Sequence, residues 1–252
     1  MKEVKNLKGI HGFNSKFLLH AKLKRFPRKL ARKILALSLL NKIITLNYYW
    51  DSDQKTDLEF VKNLFKTNYI SMSLPEAYQI YKMVQSTNKI SGELAEVGVF
   101  RGGTSKVICS ARSHGNPLHL FDTFGEGLPQ PGIYDDDKWQ KGGFKLPKTE
   151  FEEIKKRFTD EPNVYFYQGI FPTTADPIKD KKFSFVHLDV DIYQSTLDCL
   201  EFFYSRMVQG GVILCHDYHG SKGVKRSFQE FFEKKPECII VLSTSQCMVV
   251  KN

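Results

Sequence analysis

Beyond about residue 51, short apolar runs alternate along the chain with longer stretches in which apolar residues recur at helical spacing. The short runs are rich in β-branched and aromatic residues, as buried strands are. This alternation predicts an α/β fold in which a mostly parallel sheet is covered by helices on both faces. The predicted strands are 94–99, 117–121, 164–168, 183–189, 211–215, 238–242 and 246–250.

The last two predicted strands are separated only by residues 243–245. A parallel crossover needs about a dozen residues or more, so this spacing predicts an antiparallel hairpin. Between the strands, helical stripes pass through Phe151, Leu197 and Val224, and such stripes are typical of helices that face a core. The second stripe predicts a helix over 194–207.

The segment 125–148 has a different composition. It contains Pro129, Pro131, the pair Gly142-Gly143 and three consecutive aspartates. Proline and glycine at this density interrupt helices and strands, and irregular segments often carry binding residues. The segment is therefore predicted to be a mobile loop over a site.

Composition narrows the class of protein. The 252 residues are 41% hydrophobic and 26% charged, which fits one large domain and excludes a disordered chain. Five cysteines occur singly, without a C-x-x-C pair, and this usage favours a reducing, cytoplasmic location. The net charge of +9 comes from the N-terminal residues, because 1–33 hold eleven Lys and Arg against one acid, Glu3.

The predicted domain organisation is a basic amphipathic helical arm over 1–50 followed by one folded domain over 51–252. The apolar stretch of the arm, 34–40, has seven residues, whereas a membrane-spanning helix needs about 20. We interpret the arm as an amphipathic helix. Three partners stay open: its own domain or a twin subunit in a homodimer, an anionic membrane surface that the protein would contact peripherally, and nucleic acid. The last is the least favoured, because only the arm is basic.

The residues best suited to binding or catalysis follow the ends of the predicted strands, which is where open α/β sheets bind ligands. After the first strand, Glu96 and Gly98 precede the run Arg101-Gly102-Gly103-Thr104-Ser105. Glycines let the backbone approach a ligand, and the following helix offers unpaired N–H groups. The G-x-x-x-G-G spacing differs from the G-x-G-x-x-G of dinucleotide folds, which favours a ligand without a pyrophosphate. Asp122 ends the second strand, where an acid commonly binds ribose hydroxyls.

Four titratable residues end the fourth and fifth strands: Asp189, Asp191, His216 and Asp217. Adjacent strand ends bring them together, and Asp189 and Asp191, two residues apart in an extended strand, point to the same side. Crowded carboxylates repel, and a divalent cation such as Mg²⁺, Ca²⁺ or Mn²⁺ relieves the repulsion. Alternatively, these acids cap helices or pair with Lys and Arg. Glu96 also has an alternative, as a strand carboxylate that the protein itself satisfies.

Four sequence blocks occur together in one order. They are Glu96-x-Gly98-x-x-Arg101-Gly102-Gly103, LFDTFGEGLP over 120–129, HLDVDIYQSTL over 187–197, and Gly210-Gly211 followed by Asp217-Tyr218. Over roughly 68–250 the chain resembles the macrocin O-methyltransferase (TylF) family of S-adenosylmethionine-dependent enzymes. The resemblance implies a Rossmann-like class I methyltransferase fold, with a mostly parallel seven-stranded sheet, a C-terminal antiparallel hairpin and helices on both faces. It also implies Mg²⁺-dependent methylation of a hydroxyl, usually on a sugar of an antibiotic or other glycoside, and often a homodimer.

Residue by residue, the resemblance implies the following roles. The amino-acid end of the cofactor, S-adenosyl-L-methionine, would be held by Glu96, Gly98, Arg101, Gly102, Gly103, Thr104 and Ser105. Its ribose would be held by Asp122, and its adenine would be held by Thr123, Phe124, Gln168, Gly169 and Ile170. Asp189 would border the cofactor and ligate the metal, and Asp191 would be the general base.

The chain departs from the family pattern after the fifth strand, where the family has two adjacent acids and this chain has His216-Asp217. The predicted metal ligands are then Asp189, His216 and Asp217, and histidine favours Mn²⁺ over Mg²⁺. His216 is also a second candidate for the catalytic base. Two other functions stay open: a methyltransferase-fold scaffold or binding protein that contacts a membrane through its arm, and a nucleotide-sugar oxidoreductase. The acceptor, in a glycoside, natural product or surface polysaccharide, depends on loops and is not specified by these motifs.

Overall fold

The structure, a computed structural model, describes residues 52–67 and 70–252. The arm predicted over 1–50 lies outside these residues, so its amphipathic helix and the domain boundary at residue 51 stay predictions. None of the helices in the described ranges is long and apolar enough to cross a membrane.

Helices and strands alternate through the described chain. The helices are α1 (Ser52–Thr67), α2 (Leu74–Thr87), α3 (Gly103–Ala111), α4 (Glu150–Lys156), α5 (Tyr193–Tyr204) and α6 (Lys222–Phe232), with a 3₁₀ turn at Asp176–Ile178. The strands are β1 (Glu93–Val97), β2 (Leu118–Asp122), β3 (Val164–Gln168), β4 (Phe183–Leu188), β5 (Met207–Cys215), β6 (Ile240–Val241) and β7 (Cys247–Val250). Each predicted strand is therefore present, and each predicted helical stripe passes through a helix.

The strands form one sheet in the order β3-β2-β1-β4-β5-β7-β6. The first five strands of this order are parallel to one another, and β7 runs antiparallel to both β5 and β6. The predicted mostly parallel seven-stranded sheet with a C-terminal antiparallel hairpin is confirmed. Strand order reverses between β1 and β4, and a reversal of this kind leaves a crevice at the C-terminal ends of the strands.

Helices cover both faces of the sheet because successive strand residues point to opposite sides. On one face Val97, Leu188 and Cys215 belong to the same apolar cluster as the buried residues of α5 and α6. On the other face Leu94 and Phe185 are buried, and α2 packs against α3 and against β4 and β5. Burial of these apolar side chains is the main force that holds the layers together.

Two predicted boundaries are wrong near the start of β5. The helix predicted over 194–207 ends at Tyr204, and Met207 begins the strand that was predicted to begin at 211. Periodicity could not separate the two elements, because Met207 is buried through its pairing with Phe183 of β4. The sheet is irregular after this pair, with Gly210 at a φ of 77°. The segment 125–148 contains neither helix nor strand, as predicted.

Candidate active site

A cavity of about 310 Å³ lies at the C-terminal ends of β1, β2, β4 and β5. The predicted site residues that line it are Gly98, Asp122, Thr123, Gly169, Ile170, Asp189, Asp191, His216 and Asp217. Side chains that the sequence patterns did not single out complete the wall, among them Ser71, Phe100, Trp139 and Phe144. Residues predicted to bind a nucleoside and residues predicted to bind a cation therefore share one cavity.

Other predicted cofactor residues lie outside the lining of this cavity: Glu96, Arg101, Gly102, Gly103, Thr104, Ser105, Phe124 and Gln168. Gly103, Thr104 and Ser105 form the first turn of α3, whose N–H groups have no partner within the helix. Phe124 is only 1% exposed, and its ring stacks on Phe151 with 4.3 Å between centroids. The ring of Phe124 is therefore part of the core beside α4 and does not present a face to the cavity, contrary to expectation.

The turn after β1 depends on a glycine. The strand ends at Val97, before the predicted end at 99, because Gly98 turns the chain with a φ of 92°. A side chain at Gly98 would collide with the carbonyl oxygen of Asp189, so glycine allows the ends of β1 and β4 to come together. The N–H of Asp189 donates to the carbonyl of Val97 at 2.9 Å. The glycine turn and the first predicted metal ligand thus lie side by side.

The carboxylate of Asp122 holds two turns of the backbone. Its Oδ2 accepts the N–H groups of Val99 at 2.9 Å and Phe100 at 2.8 Å, and its Oδ1 accepts the N–H of Phe124 at 2.7 Å. Phe100 and Phe124 both have positive φ, at 50° and 45°, which costs a side-chain-bearing residue free energy. Burial raises the pKa of Asp122, and the three N–H donors act in the opposite direction. The sequence patterns did not indicate this structural role.

Glu96 is fully buried between β1, β4 and α3. It accepts a hydrogen bond from the Ser105 hydroxyl, and its Oε1 lies 3.0 Å from Nδ1 of His187. Burial is the main reason that the pKa of Glu96 is raised. This geometry matches the alternative interpretation, a carboxylate satisfied by the protein, because both oxygens have partners and neither lines the cavity.

The predicted metal ligands form a compact cluster. Each of Asp189, His216 and Asp217 offers a donor atom, and these atoms lie within 4.8 Å of one another. Nδ1 of His216 is 3.2 Å from Asp189 Oδ1 and 3.0 Å from Asp217 Oδ2. Burial lowers the pKa of His216, but the charges and hydrogen bonds of the carboxylates outweigh it and raise the pKa well above its usual range. Burial raises the pKa of Asp217, but its interactions with His216 outweigh this and keep the pKa below its usual value.

Asp191 reaches the same cavity by a different backbone path from the predicted one. β4 ends at Leu188, and Asp191 has a φ of 64°, so the expectation of an extended strand end through Asp189 and Asp191 is wrong. Asp191 is buried, and this burial, together with the charges of Asp189 and Asp217, raises its pKa to about 9. The structure therefore contains one acid, Asp191, that holds its proton beside Asp217, whose pKa is lowered.

Comparison with known proteins decides the family. Residues 74–238 match the family model described as Macrocin-O-methyltransferase (TylF). The chain belongs to the TylF family. The matched range runs from α2 to the start of the C-terminal hairpin and contains the turn after β1, Asp122 and the acid cluster.

Individual members and structures agree with this membership. The 8-demethyl-8-(2,3-dimethoxy-alpha-L-rhamnosyl)-tetracenomycin-C 4′-O-methyltransferase of Streptomyces olivaceus is 29% identical over 144 residues, which are 51% of this chain and 54% of the relative. The demethyldecarbamoylnovobiocin O-methyltransferase of Streptomyces niveus is 27% identical over 160 residues, or 58% of this chain and 60% of the relative. The chain therefore spans less than two thirds of the length of these curated relatives. The structure of the O-methyltransferase NovP aligns with a TM-score of 0.60 at 21% identity, over 71% of this chain and 81% of that one, so the two share the Rossmann-like methyltransferase fold.

Glu76 adds a carboxylate to the cluster of this TylF-family protein. Its Oε1 is 3.6 Å from Nε2 of His216. The N–H and hydroxyl of Ser73 donate to Oε2 at 2.8 and 2.7 Å, and those of Ser245 donate to Oε1 at 3.2 and 2.6 Å. Burial raises the pKa of Glu76, but these bonds and His216 outweigh it and hold the pKa below its usual range.

Sequence patterns carried only part of this information about Glu76. The spacing of Ser73 and Glu76 is a helix-capping signal, and both reciprocal bonds are present at the start of α2. The signal predicts where the helix begins, but not that its carboxylate also faces His216. After β5 the TylF pattern has two adjacent acids, and this chain has His216 in place of one of them. Glu76 lies beside Nε2 of His216, on the side of the ring away from Asp189 and Asp217.

Proposed function

We propose that this protein is an S-adenosylmethionine-dependent O-methyltransferase that methylates a hydroxyl of a sugar in a glycoside, natural product or surface polysaccharide. The observation that carries the proposal is the cavity, where Gly98 and Asp122 border the same space as Asp189, Asp191 and Asp217. A methyl donor and a hydroxyl acceptor must meet in one such space. TylF-family membership supports methyl transfer, and the relative named for 4′-O-methylation of a rhamnosyl tetracenomycin supports a sugar acceptor.

The cofactor supplies a methyl group on a sulfonium, which is electrophilic without further activation, so the protein contributes mainly alignment. In our proposal the turn at Gly98 and the first turn of α3 hold its amino-acid end. Asp122 holds the ribose, and Thr123, Gly169 and Ile170 border the adenine. Glu96 and Ser105 support the amino-acid subsite from behind, because their mutual hydrogen bond joins β1 to α3.

One divalent cation fits the residues Asp189, His216 and Asp217, whose donor atoms are close enough to bind a single ion. Two carboxylates with one imidazole suit Mn²⁺ better than Mg²⁺. When bound, such an ion would lower the pKa of an acceptor hydroxyl. Ser73 and Ser245 would hold Glu76 in place, and Glu76 would orient the far side of His216, as carboxylates do for metal-binding histidines.

Asp191 is the better candidate for the group that accepts the hydroxyl proton. In the cation-free protein Asp191 holds a proton, because its pKa is raised to about 9. A cation bound at the neighbouring Asp189 and Asp217 would favour loss of that proton, and the resulting carboxylate could then accept the proton of the hydroxyl. When His216 binds the cation through Nδ1, which lies beside Asp189 and Asp217, its Nε2–H faces Glu76, so the ring has no free lone pair with which to accept a proton. In our proposal Asp191 therefore accepts the proton of the acceptor hydroxyl, and His216 is a ligand of the divalent cation.

The first experiment is a calorimetric titration with S-adenosylmethionine, followed by transfer of a labelled methyl group to methyl α-L-rhamnopyranoside with Mn²⁺ present. We expect saturable binding and a methylated sugar. A folded protein that does not bind S-adenosylmethionine would contradict the proposal and favour the scaffold alternative. Reaction of a nicotinamide cofactor with a nucleotide sugar would favour the oxidoreductase.

The partners of the arm complete the proposal. Residues 1–33 carry the excess positive charge, so we propose peripheral contact with an anionic membrane as one partner and packing in a homodimer as another. Both concern residues outside the described part of the chain, and both are separable from catalysis by truncation. A cytoplasmic location is proposed on cysteine usage alone.

A further inference from the structure

The segment 125–148, which contributes to the cavity wall, is fastened to the start of α5 by Asp135. Oδ1 of Asp135 accepts the N–H of Tyr193, the first residue of α5, at 2.7 Å. Its Oδ2 accepts the N–H of Gly132 at 2.8 Å. A side chain at Gly223 of α6 would collide with Asp135, so the carboxylate also lies against the start of that helix. A carboxylate at a helix N-terminus is favoured by the helix dipole.

The same segment is fastened to the start of α6 by Asp136 and its neighbours. Oδ2 of Asp136 accepts the N–H of Lys222, the first residue of α6, at 2.9 Å. The Lys138 ammonium donates to the carbonyl of Gly220 at 2.7 Å. Together with Asp135, these bonds join the segment to the turns that follow β4 and β5, which are the turns that carry the acid cluster.

Trp139 is the aromatic residue that these bonds place at the cavity. Its Nε1 donates to the hydroxyl of Ser221 at 3.2 Å, and that hydroxyl donates to the carbonyl of Asp191 at 2.8 Å. Its ring lies 6.1 Å from the ring of Phe144, which lies 5.8 Å from the ring of Phe100. All three rings line the cavity, and Phe144 is 53% exposed, so the aromatic wall reaches the cavity mouth.

The cavity therefore combines an aromatic wall with a cluster of carboxylates. A pyranose has the matching chemistry, because its ring presents apolar C–H groups on a face and hydroxyls at its edges. Aromatic rings contribute large apolar area with a defined geometry, and a few placed polar groups then fix the orientation of the ligand.

We propose that Trp139 recognises the acceptor by stacking its indole against the apolar face of a pyranose ring, and that Asp135 and Asp136 are positioning residues that hold Trp139 on the cavity wall. The inference rests on the proposed function, because it places the acceptor sugar in the same cavity. It replaces the expectation of a freely mobile loop with a wall that is formed before the acceptor binds.

The positioning role can be tested without any acceptor. The chain has two tryptophans, Trp50 and Trp139, so in a Trp50→Phe background the fluorescence reports on Trp139 alone. We expect Asp135→Ala and Asp136→Ala, singly and together, to increase quenching of Trp139 by acrylamide. Asp137→Ala is the control for the single variants Asp135→Ala and Asp136→Ala, because Asp137 is exposed and each of the three substitutions removes one negative charge from the same run. Equal quenching in the single variants and the control would overturn the positioning role, and Asn variants repeat the test if the Ala variants do not fold.

The stacking role is tested with two acceptors, methyl α-L-rhamnopyranoside and propane-1,2-diol, which also has vicinal hydroxyls but has no ring. We expect Trp139→Ala to raise the KM for the rhamnoside by about tenfold, the loss of a contact of about 1.4 kcal/mol. The KM for the diol and the Kd of S-adenosylmethionine should not change, and Trp139→Phe should restore most of the loss. An unchanged KM for the rhamnoside, or an equal increase for both acceptors, would overturn the assignment.

Failure of the proposed function is distinguishable from failure of this inference. If the parent protein binds no S-adenosylmethionine and methylates neither acceptor, the proposed function fails. Titration of the Trp50→Phe protein with the same rhamnoside then decides the stacking role by Trp139 fluorescence. A saturable change supports stacking, and no change overturns it.

Discussion

On the β1–β2 side of the cavity, Asp122 accepts three backbone N–H groups and Glu96 is bound by Ser105 and His187. On the β4–β5 side, Asp189 and Asp217 share the imidazole of His216, while Asp191 keeps a proton. The first side is therefore satisfied by the chain itself, and the second is crowded with like charges. A satisfied carboxylate is part of the folded framework, whereas crowded carboxylates are relieved by a further partner. Substitutions on the first side should consequently lower the free energy of unfolding as well as the affinity for the cofactor, whereas substitutions on the second side should lower the catalytic rate and the affinity for a cation.

The largest effect is expected for Asp191→Asn on the crowded side. Removal of a general base typically lowers kcat by about 10² to 10⁴, while the Kd of S-adenosylmethionine should stay the same. Steady-state kinetics and calorimetry check both values. If Asp191→Asn remains nearly as active as the parent, and His216→Ala is inactive with its cation still bound, the base is His216.

Asp122→Ala should have the next largest effect, on the satisfied side. Loss of a carboxylate that binds two ribose hydroxyls should weaken S-adenosylmethionine binding by about 2 to 3 kcal/mol. Because the same carboxylate holds the turns at Phe100 and Phe124, the free energy of unfolding should also decrease. Titration calorimetry and chemical denaturation measure the two effects, with Asp137→Ala as the control. Unchanged affinity would remove Asp122 from the cofactor site.

Cation dependence tests the crowded side directly. Activity should disappear in EDTA and return with Mn²⁺ more fully than with Mg²⁺, because His216 is a nitrogen ligand. Glu76→Gln, which keeps the size of the side chain and an acceptor oxygen for one of the two serines but removes the charge beside His216, should weaken Mn²⁺ binding by about 10 to 100-fold. Calorimetric titration of the cation-free protein with Mn²⁺ measures this. Full activity of the parent in chelator would refute the metal assignment.

The pH dependence of stability separates the two sides further. Asp191 has an ordinary pKa of 3.8 and a folded-state pKa of about 9, so the folded protein keeps a proton that the unfolded chain loses. The stabilising contribution of this proton is fully present below the unfolded pKa and is lost as the pH rises through the folded pKa. The melting temperature of the cation-free protein should fall across this range, and less steeply in Asp191→Asn. Identical slopes would show that Asp191 is not the acid that holds the proton.

The arm should have the smallest effect on either side of the cavity. Deletion of residues 1–27 is expected to leave S-adenosylmethionine affinity unchanged and to abolish salt-sensitive association with anionic vesicles, because these residues hold much of the excess positive charge. Vesicle co-sedimentation at two salt concentrations measures the association. Equal vesicle binding by both forms would rule out the membrane role and leave packing or dimerisation.

From the amino-acid sequence alone we could predict the elements of the fold and the strand ends at which the polar residues of the site lie. Short apolar runs and helical stripes depend only on which residues face a core, so they predicted the strands and the stripes of α4, α5 and α6. The short link at 243–245 predicted the antiparallel hairpin, because chain length alone excludes a crossover. Resemblance to the TylF family then predicted the fold and the residues that line the cavity, including Gly98, Asp122 and Asp189.

The hydrogen-bond partner of each polar group, by contrast, became known only from the folded structure. Glu76 meets a serine 169 residues away in the chain, and Asp135 binds the start of a helix 58 residues ahead. Such partners follow from how helices pack on the sheet, and local periodicity does not encode that arrangement. The same holds for Glu96, whose partners Ser105 and His187 the sequence patterns did not indicate. A buried apolar side chain can pack against many different neighbours, whereas a buried hydrogen bond needs a particular donor within about 3 Å. Core residues could therefore be predicted from the sequence pattern, and the hydrogen-bond partners in the site could not.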